Sequence, residues 1–392
     1  LNADRRRGLI VGFAAGIALA AAIAVAIVAL AGGLGEDNAS VQASDVIQDH
    51  YYKPVHGSLL DNGSIDGMVR ALRRRFDDRF SHYFNPRQLR QFEESNSGQF
   101  SGVGLTVTEV KRGLRVATVL PRTPAQKAGI RPGDVIVAVD GRSIAGVSSE
   151  VSTARIKGRP GTPVRLRVVS AQGGRTRNIR LERATVHVPA ATGELKQAGG
   201  TKAAYVRFTT FSEGAHADLS QVLKRLDRRG AEGLVLDLRG NGGGLLNEAV
   251  LCASLFLDKG QLVVSTDSRT MGHRDYEAVG NPLPSHPTVV LINRDTASAA
   301  EILASALADH HQATIVGTRS FGKGVFQEVL DLPAGGALDL TVGEYLTADG
   351  VSLAGKGIKP DVHALDNPKT PRDEGLDKAL AVLAEKAAVE NR

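Results

Sequence analysis

Cysteine is almost missing from this chain: Cys252 is the single one in 392 residues, so neither an intrachain disulfide nor a Cys-rich metal site can form. Tryptophan is absent and aromatic residues make up 4%. So few rings cannot furnish the stacking platform that single-stranded nucleic acid needs, and the net charge of +6 reads as a basic, solvated surface. No nucleic-acid partner is therefore expected. The ten histidines include no His-Glu-x-x-His pattern, which leaves metal catalysis without support, and neither a metal nor another cofactor is expected. No internal repeat or long low-complexity tract interrupts the chain outside its first segment.

That first segment is the plainest positive feature. Arg5, Arg6 and Arg7 precede an uncharged run from Gly8 to Gly35, 28 residues rich in Ala, Ile, Val and Leu. A bilayer core needs about 20 apolar residues, and arginines ahead of such a run favour a cytoplasmic N-terminus. The rest of the chain then lies outside the cytoplasm. Ala29-Leu30-Ala31 has the small-x-small form of a signal cleavage site. A cleaved signal is thus the competing reading; the length of the run favours an uncleaved anchor.

Downstream, Ser44 to Asp49 and Ile65 to Phe80 carry helical spacing, with Asp61-Asn62-Gly63-Ser64 as a start signal for the second. Polar residues from Glu93 to Gln99 read as a linker. From Phe100 to about Thr185 short β segments are punctuated by Gly and Pro: Leu105 to Val110, Leu114 to Val119, Val135 to Val139 and Val164 to Val168 read as strands. Pro124 to Ala128 and Ser148 to Ile156 read as short helices. The order Ser101-Gly102-Val103-Gly104-Leu105, then Ala125 to Ile130, then Arg131-Pro132-Gly133-Asp134 is similar to a PDZ domain. Its two glycines let successive backbone N–H groups face one point, where a peptide's terminal carboxylate can sit while the peptide adds as a strand beside Leu105 to Val110. Gly102, Val103, Gly104 and Leu105 are the candidate substrate-binding residues. From Ala203 onward strands and helices alternate, which argues an α/β domain, and Asp373 to Val389 forms one more amphipathic helix.

Three segments of the α/β part can build an acyl-transfer site. Ser298 opens the helix Ala299 to Asp309, where free N–H groups and the helix dipole put the Ala299 amide in place to help stabilise an oxyanion. Ser298-x-x-Glu301 is equally a capping box, the plainer reading. Lys323 follows 25 residues later. A lysine serves as base only if its surroundings remove its proton, and burial is the means. Gly317 to Lys323 matches the start of a P-loop, but Gly324 replaces the Ser or Thr that would hold magnesium and a strand follows, so nucleotide binding is rejected. If that strand includes Lys323, Gln327 shares its face and can orient the amine. Asp237-Leu238-Arg239-Gly240-Asn241-Gly242-Gly243-Gly244 is a strand running into a glycine turn, and Gly243 or Gly244 can give the second oxyanion donor. A Ser-His-Asp triad through His310 or His311 with Asp309 fails: these lie at the far end of the helix that Ser298 opens, about 16–20 Å away at 1.5 Å per residue.

Together these motifs resemble the carboxyl-terminal processing peptidases, or tail-specific proteases, PDZ-containing Ser-Lys endopeptidases. The likeness extends to Ser81-His82-Tyr83-Phe84 and to Gly355-Lys356-Gly357-Ile358-Lys359-Pro360-Asp361. It implies Ser298 as nucleophile, Lys323 as general base, Gln327 as its partner, and Ala299 with the glycine turn as oxyanion hole. Gly242 departs from the family pattern, where many members carry Pro, and leaves the choice between Gly243 and Gly244 open. The expected organisation is an α/β and α+β multidomain chain. It comprises a membrane anchor or signal segment over 1–35, an N-terminal helical region over 36–96, a PDZ domain over 97–185, an α/β protease core over 186–365 and a C-terminal helix over 366–392. The expected activity is cleavage of proteins near their C-termini, on the extracytoplasmic side of a membrane or in secreted form. Protein or peptide substrates with accessible C-termini, and the membrane itself, are the expected partners; a homo-oligomer stays open. The alternative is an anchored PDZ scaffold with an inactive protease domain.

Overall fold

The computed structural model describes residues 57–390, apart from 281, 334 and 368, together with 43, 44 and 46–48. The run from Gly8 to Gly35 lies outside these, and so does the judgement on a membrane helix. Among the described residues no helix is long and apolar enough to cross a membrane. The chain divides into two units: the smaller takes the described residues up to Asn85 with Val329–Leu340, and the larger takes Pro86–Glu328 with Thr341 onward.

In the smaller unit α1 (Gly57–Phe76) precedes β1 (His82–Phe84). The expected start signal at Asp61 to Ser64 is inside this helix, not ahead of it. Isolated Asn and Gly cost a helix about 1 kcal/mol at most, and Asn62 has a use there, since its side-chain oxygen accepts from Tyr83 Oη at 2.7 Å. β1 pairs antiparallel with Ala337–Asp339.

The larger unit begins with α2 (Pro86–Asn96), so most of the stretch read as a linker is helical. Proline suits the first helical position, where its missing N–H is no loss, and polarity here marks a helix with no buried residue. Next come β2 (Gln99–Gly102), β3 (Leu105–Val110), β4 (Gly113–Val119), α3 (Pro124–Lys127), β5 (Val135–Val139), β6 (Arg142–Ser143), α4 (Ser149–Ile156), β7 (Pro163–Val169), β8 (Thr176–Glu182) and β9 (Ala184–His187). Strands β3, β4, β5, β7 and β8 form one antiparallel sheet with β6 at β5. Its inward residues alternate strictly along β7, where Val164, Leu166 and Val168 are buried against Leu114, Ile136, Ile144 and Ile156. Each such side chain contributes about 1.5–3 kcal/mol on burial. β2 and β9 pair with each other, Gln99 opposite His187, and form the two-stranded passage into and out of this small domain.

The remaining elements are β10 (Ala191–Ala198), β11 (Thr201–Phe208), α5 (Ala215–Asp227), β12 (Gly233–Asp237), α6 (Leu246–Ala253), β13 (Leu262–Ser268), β14 (Gly272–Glu277), β15 (Thr288–Ile292), α7 (Ala299–Asp309), β16 (Thr314–Gly317), β17 (Val325–Asp331), β18 (Ala337–Thr347), β19 (Val362–His363) and α8 (Glu374–Glu390). A sheet of order β10-β11-β12-β15-β16-β19 is parallel from β11 to β19. All five residues of β12 and of β15 are buried, as a sheet covered on both faces requires. Alternation divides them: Leu234, Leu236, Val290 and Ile292 join the core formed with α5, α6 and α7, while Val235, Val289 and Leu291 pack with Leu376, Ala379 and Leu383 of α8. The C-terminal helix thus closes one face of the sheet.

Candidate active site

The adjacent parallel strands β12, β15 and β16 deliver the three segments singled out above to one edge of the sheet. After β12 comes the turn Leu238 to Gly244, after β15 the loop into Ser298, and after β16 the loop that carries Lys323. The carboxyl edge of a parallel sheet is where such folds place their chemistry.

Ser298 sits at the junction of loop and helix with φ 57° and ψ −123°. A non-glycine residue in that region costs about 1–3 kcal/mol and persists only where its surroundings enforce it. Here Thr296, fully buried, fixes the approach: its hydroxyl donates to Leu238 O at 2.9 Å and accepts from Asn293 N at 3.0 Å. The helix that follows is buried from Ala299 to Leu307, and the one charged side chain in that stretch is Glu301, which has no exposure at all.

Glu301 is the hub of the site. Its Oε2 accepts from Ser298 N at 2.9 Å and from Lys323 N at 3.0 Å, and Tyr345 Oη donates to the same oxygen at 3.4 Å. Its Oε1 accepts from Gly322 N at 2.7 Å and Ser320 Oγ at 2.5 Å. One carboxylate therefore ties the strained serine to the lysine loop. Tyr345 is kept a donor because burial first, and then the Glu301 charge, raise its phenol pKa well above the ordinary value; its oxygen in turn accepts from Gly324 N at 3.1 Å. The sequence reading took Glu301 for half of a helix cap and missed this role. Its lone charge in a run of Ala, Ile and Leu was the available signal.

Lys323 is half-buried between Gly322 (φ 82°) and Gly324 (φ 57°). A Cβ at Gly324 would stand 2.3 Å from Ala354 N, so glycine is required where this loop crosses the segment 353–358. That segment braces it: Gly355 N donates to Gly322 O at 2.9 Å, and Ile358 N to Ser320 Oγ at 2.6 Å. Gln327 is on β17, which starts only at Val325, and the left-handed Gly324 intervenes. The alternation argument linking Gln327 to Lys323 along one strand therefore does not apply. Gln327 donates through Nε2 to Thr341 Oγ1 at 3.1 Å. Phe321, two residues before the lysine, is 51% exposed.

The glycine turn packs directly on Ser298: a Cβ on Gly243 would stand 2.8 Å from Ser298 Cβ and 2.9 Å from Ala299 N. Asn241, wholly buried, sets the turn. Its Oδ1 accepts from Gly243 N at 2.9 Å, its Nδ2 donates to Phe208 O at 2.9 Å, and its carbonyl accepts from Ala297 N at 3.0 Å. The Gly243 amide is thereby occupied, whereas Gly244 N makes no hydrogen bond among the described residues. Gly243 and Gly244 have φ of 100° and 144°, while Gly242 is not in the left-handed region and has no atom within 4 Å of a Cβ placed on it. Nothing here depends on glycine at Gly242.

Arg239 anchors the strand end to the C-terminal helix. It forks onto Asp237 at 2.7 and 3.0 Å and onto Asp373 at 2.7 and 2.8 Å, and reaches Asp366 at 2.9 Å. Burial works against its charge, but the bonds to Asp373 and Asp237 outweigh it and raise the guanidinium pKa. Tyr205 donates to Asp237 at 2.8 Å, and burial together with that carboxylate pushes its phenol up to about 12.

In the small domain the carbonyls of Val103 and Gly104 turn inward, accepting from Ala125 N at 2.9 Å and Leu120 N at 3.0 Å. A trans peptide points its N–H opposite to its carbonyl, so the Gly104 and Leu105 amides face outward. The loop lies at the head of the cleft between β3 and α4, and Glu109 of β3 accepts from Ser149 N of α4 at 2.7 Å farther along it.

Peptidase family S41 matches residues 202–364, and a PDZ domain matches 101–182. The carboxy-terminal processing protease CtpA of Bacillus subtilis is 35% identical over 323 residues, covering 82% of this chain and 68% of that protein. This chain belongs to the S41 peptidase family. A carboxyl-terminal-processing protease of Picosynechococcus is 38% identical over 288 residues, 73% of this chain and 69% of the relative. Among solved structures, the photosystem II D1 C-terminal processing protease superposes with a TM-score of 0.50 at 31% identity, covering 88% of this chain and 97% of that one. The S41 member is thus an enzyme of the serine peptidase class, with a PDZ domain ahead of an α/β protease core.

Proposed function

We propose that this S41 peptidase is a Ser-Lys endopeptidase that cleaves proteins near their C-termini. Ser298 Oγ attacks the scissile carbonyl while neutral Lys323 takes its proton. The resulting ammonium returns that proton to the leaving amine, and water hydrolyses the acyl-enzyme by the same route. Gln327 is the polar partner that orients the lysine, from β17 and beside Thr341. The oxyanion is held by the Ala299 amide and by Gly244, preferred over Gly243 because Asn241 already occupies the Gly243 N–H. Substrate tails bind Gly102, Val103, Gly104 and Leu105 through the terminal carboxylate and extend beside β3.

The observation that carries this reading is the strained Ser298 backbone joined through buried Glu301 to the lysine loop. A serine that merely capped a helix would need no such conformation. The PDZ domain over 97–185, the core over 186–365 and the segment from 366 are taken as the working divisions. Gly8 to Gly35 is read as the anchor that holds the catalytic part outside the cytoplasm, with secretion as the outcome if it is cleaved.

The test is degradation of an unstructured protein by the full chain in detergent micelles, compared with Ser298→Ala and Lys323→Ala. Each variant is expected to lose about 10³-fold or more in kcat while keeping its circular dichroism. Equal cleavage by all three overturns the dyad, and a wild type that does not cleave favours the inactive-scaffold alternative.

A further inference from the structure

Residues 97–185 carry 16 Lys and Arg against 5 Asp and Glu, although the whole chain is only +6. The remainder is therefore net acidic, and the positive charge is concentrated in the PDZ domain. It is concentrated again on one face of that domain. Along β7, Arg165 and Arg167 are exposed while their neighbours Val164, Leu166 and Val168 are buried. The register sets Arg165 opposite Arg180 of β8, and Arg167 opposite Asn178. Arg112 and Arg167 border one shallow depression with Asn178, and Arg165 and Arg167 border the adjoining one. The acidic residues at its margin are Asp140, whose Oδ1 is engaged by Arg165 N at 2.8 Å, and Glu182.

Two features make this more than a solvated surface. Like charges directly opposite on neighbouring strands destabilise a sheet, yet Arg165 faces Arg180. Among the described residues, moreover, Arg112, Arg165, Arg167 and Arg180 form no ion pair, while Arg177 on the other side of β8 pairs with Asp134. The face lacks aromatic side chains, which suits phosphates better than stacked bases. None of these arginines belongs to β3 or α4, so covering them leaves the peptide cleft open.

We propose that this arginine face docks on an anionic phospholipid bilayer, the same membrane that Gly8 to Gly35 is read as spanning; the inference rests on that anchor reading for its proximity. Guanidinium forks match phosphate oxygens, and the 61 residues 36–96 link the run read as the anchor covalently to this domain.

Cys252 is fully buried, so a cysteine introduced at exposed Thr176 can be labelled selectively. The full chain, carrying a fluorophore there, is reconstituted into vesicles of neutral phosphatidylcholine, or of phosphatidylcholine with about one-third phosphatidylglycerol, each with a headgroup quencher lipid. Quenching is expected in the anionic vesicles and not in the neutral ones, with reversal near 1 M salt, where the Debye length is about 3 Å. Arg165→Gln with Arg167→Gln should weaken docking about 30-fold, each arginine near such a surface being worth roughly fivefold. Lys224→Gln with Lys259→Gln, the same charge change in the α/β core, should leave it unaltered. Equal quenching in both vesicle types, or indifference to the arginine pair, overturns the proposal. Preferential protection by soluble polyglutamate overturns it in favour of an acidic protein partner. Flotation with neutral vesicles reports the anchor separately: a chain that floats without lipid-dependent quenching sinks the docking alone, and one that quenches on anionic vesicles without floating on neutral ones sinks the anchor alone.

Discussion

In the PDZ domain the loop Gly102 to Leu105 is held by two backbone bonds and by the contact of Gly104 with Thr123. In the α/β core the turn Asn241 to Gly244 is held by a buried asparagine, bonded twice through its side chain and once through its carbonyl, against a serine that is itself pinned by Glu301. Both present glycine amides to a proposed anion, a substrate carboxylate in one case and an oxyanion in the other. The first is braced chiefly through its backbone; the second is also cross-linked by the buried polar side chains of Asn241 and Glu301. The difference follows from what each must discriminate. A tail carboxylate is a full, stable charge that can be met by an adaptable loop, whereas charge that develops only in a transition state is stabilised by donors already in place.

The sharpest way to break the comparison is to loosen the rigid half. Glu301→Gln puts an amide donor where two or three N–H and O–H donors now converge. Bonds to a charged acceptor are worth about 1.5–3 kcal/mol each, so stability should fall by about 3 kcal/mol. Misplacing the serine and lysine loops should lower kcat about 100-fold with KM nearly unchanged. Glu301 acts through its neighbours, as a positioning residue. If kcat and KM moved together, or only the melting temperature fell, the carboxylate would be structural.

The backbone-braced half should respond in the other parameter. Gly104 has φ 86°, and a Cβ there would stand 2.3 Å from Thr123. Gly104→Ala should raise KM for substrates with a free C-terminus about tenfold while kcat at saturation holds, and amidating the substrate should do the same to the wild type. Because both act on one interaction, their combination should be strongly non-additive. Additive losses would mean that the carboxylate is read elsewhere.

Much of this was legible from the chain alone. Strict alternation made β7 recognisable, unbroken apolar runs made β12 and β15 so, and the site segments came from motifs with fixed spacing. What stayed hidden depends on contacts distant in sequence. Glu301 reads as a cap until Gly322 and Lys323 are folded onto it, and Arg239 reads as part of a turn until Asp373, 134 residues on, closes over it. Gln327 shows the opposite error, because strand alternation was extended through Gly324, whose left-handed backbone ends it. The last turn of polar α2, from Glu93, passed for a linker because the helix buries no residue to reveal its period.

The smallest expected effect concerns the seam between the catalytic strands and the C-terminal helix. The bond from Arg239 lowers the Asp373 pKa below 3.8, with partial burial opposing it. A carboxylate depressed on folding stabilises the native state above its unfolded pKa, and that contribution disappears as pH falls through the depressed value. Asp373 Oδ1 also accepts from Leu376 N at 2.8 Å, a helix-capping bond that asparagine can still provide. Asp373→Asn therefore removes the charge and keeps the cap. With 43% of its side chain exposed, Asp373 is screened, and the difference in unfolding free energy from wild type should be about 1 kcal/mol at neutral pH. That difference should shrink toward zero below about pH 3.8, the unfolded value, as the depressed pKa is crossed. Denaturant titrations of both proteins across pH 2 to 7 measure it. A gap that stayed constant with pH would assign the loss to the cap or to packing, and would leave the Arg239 fork as a contact that orients α8 without holding it by charge.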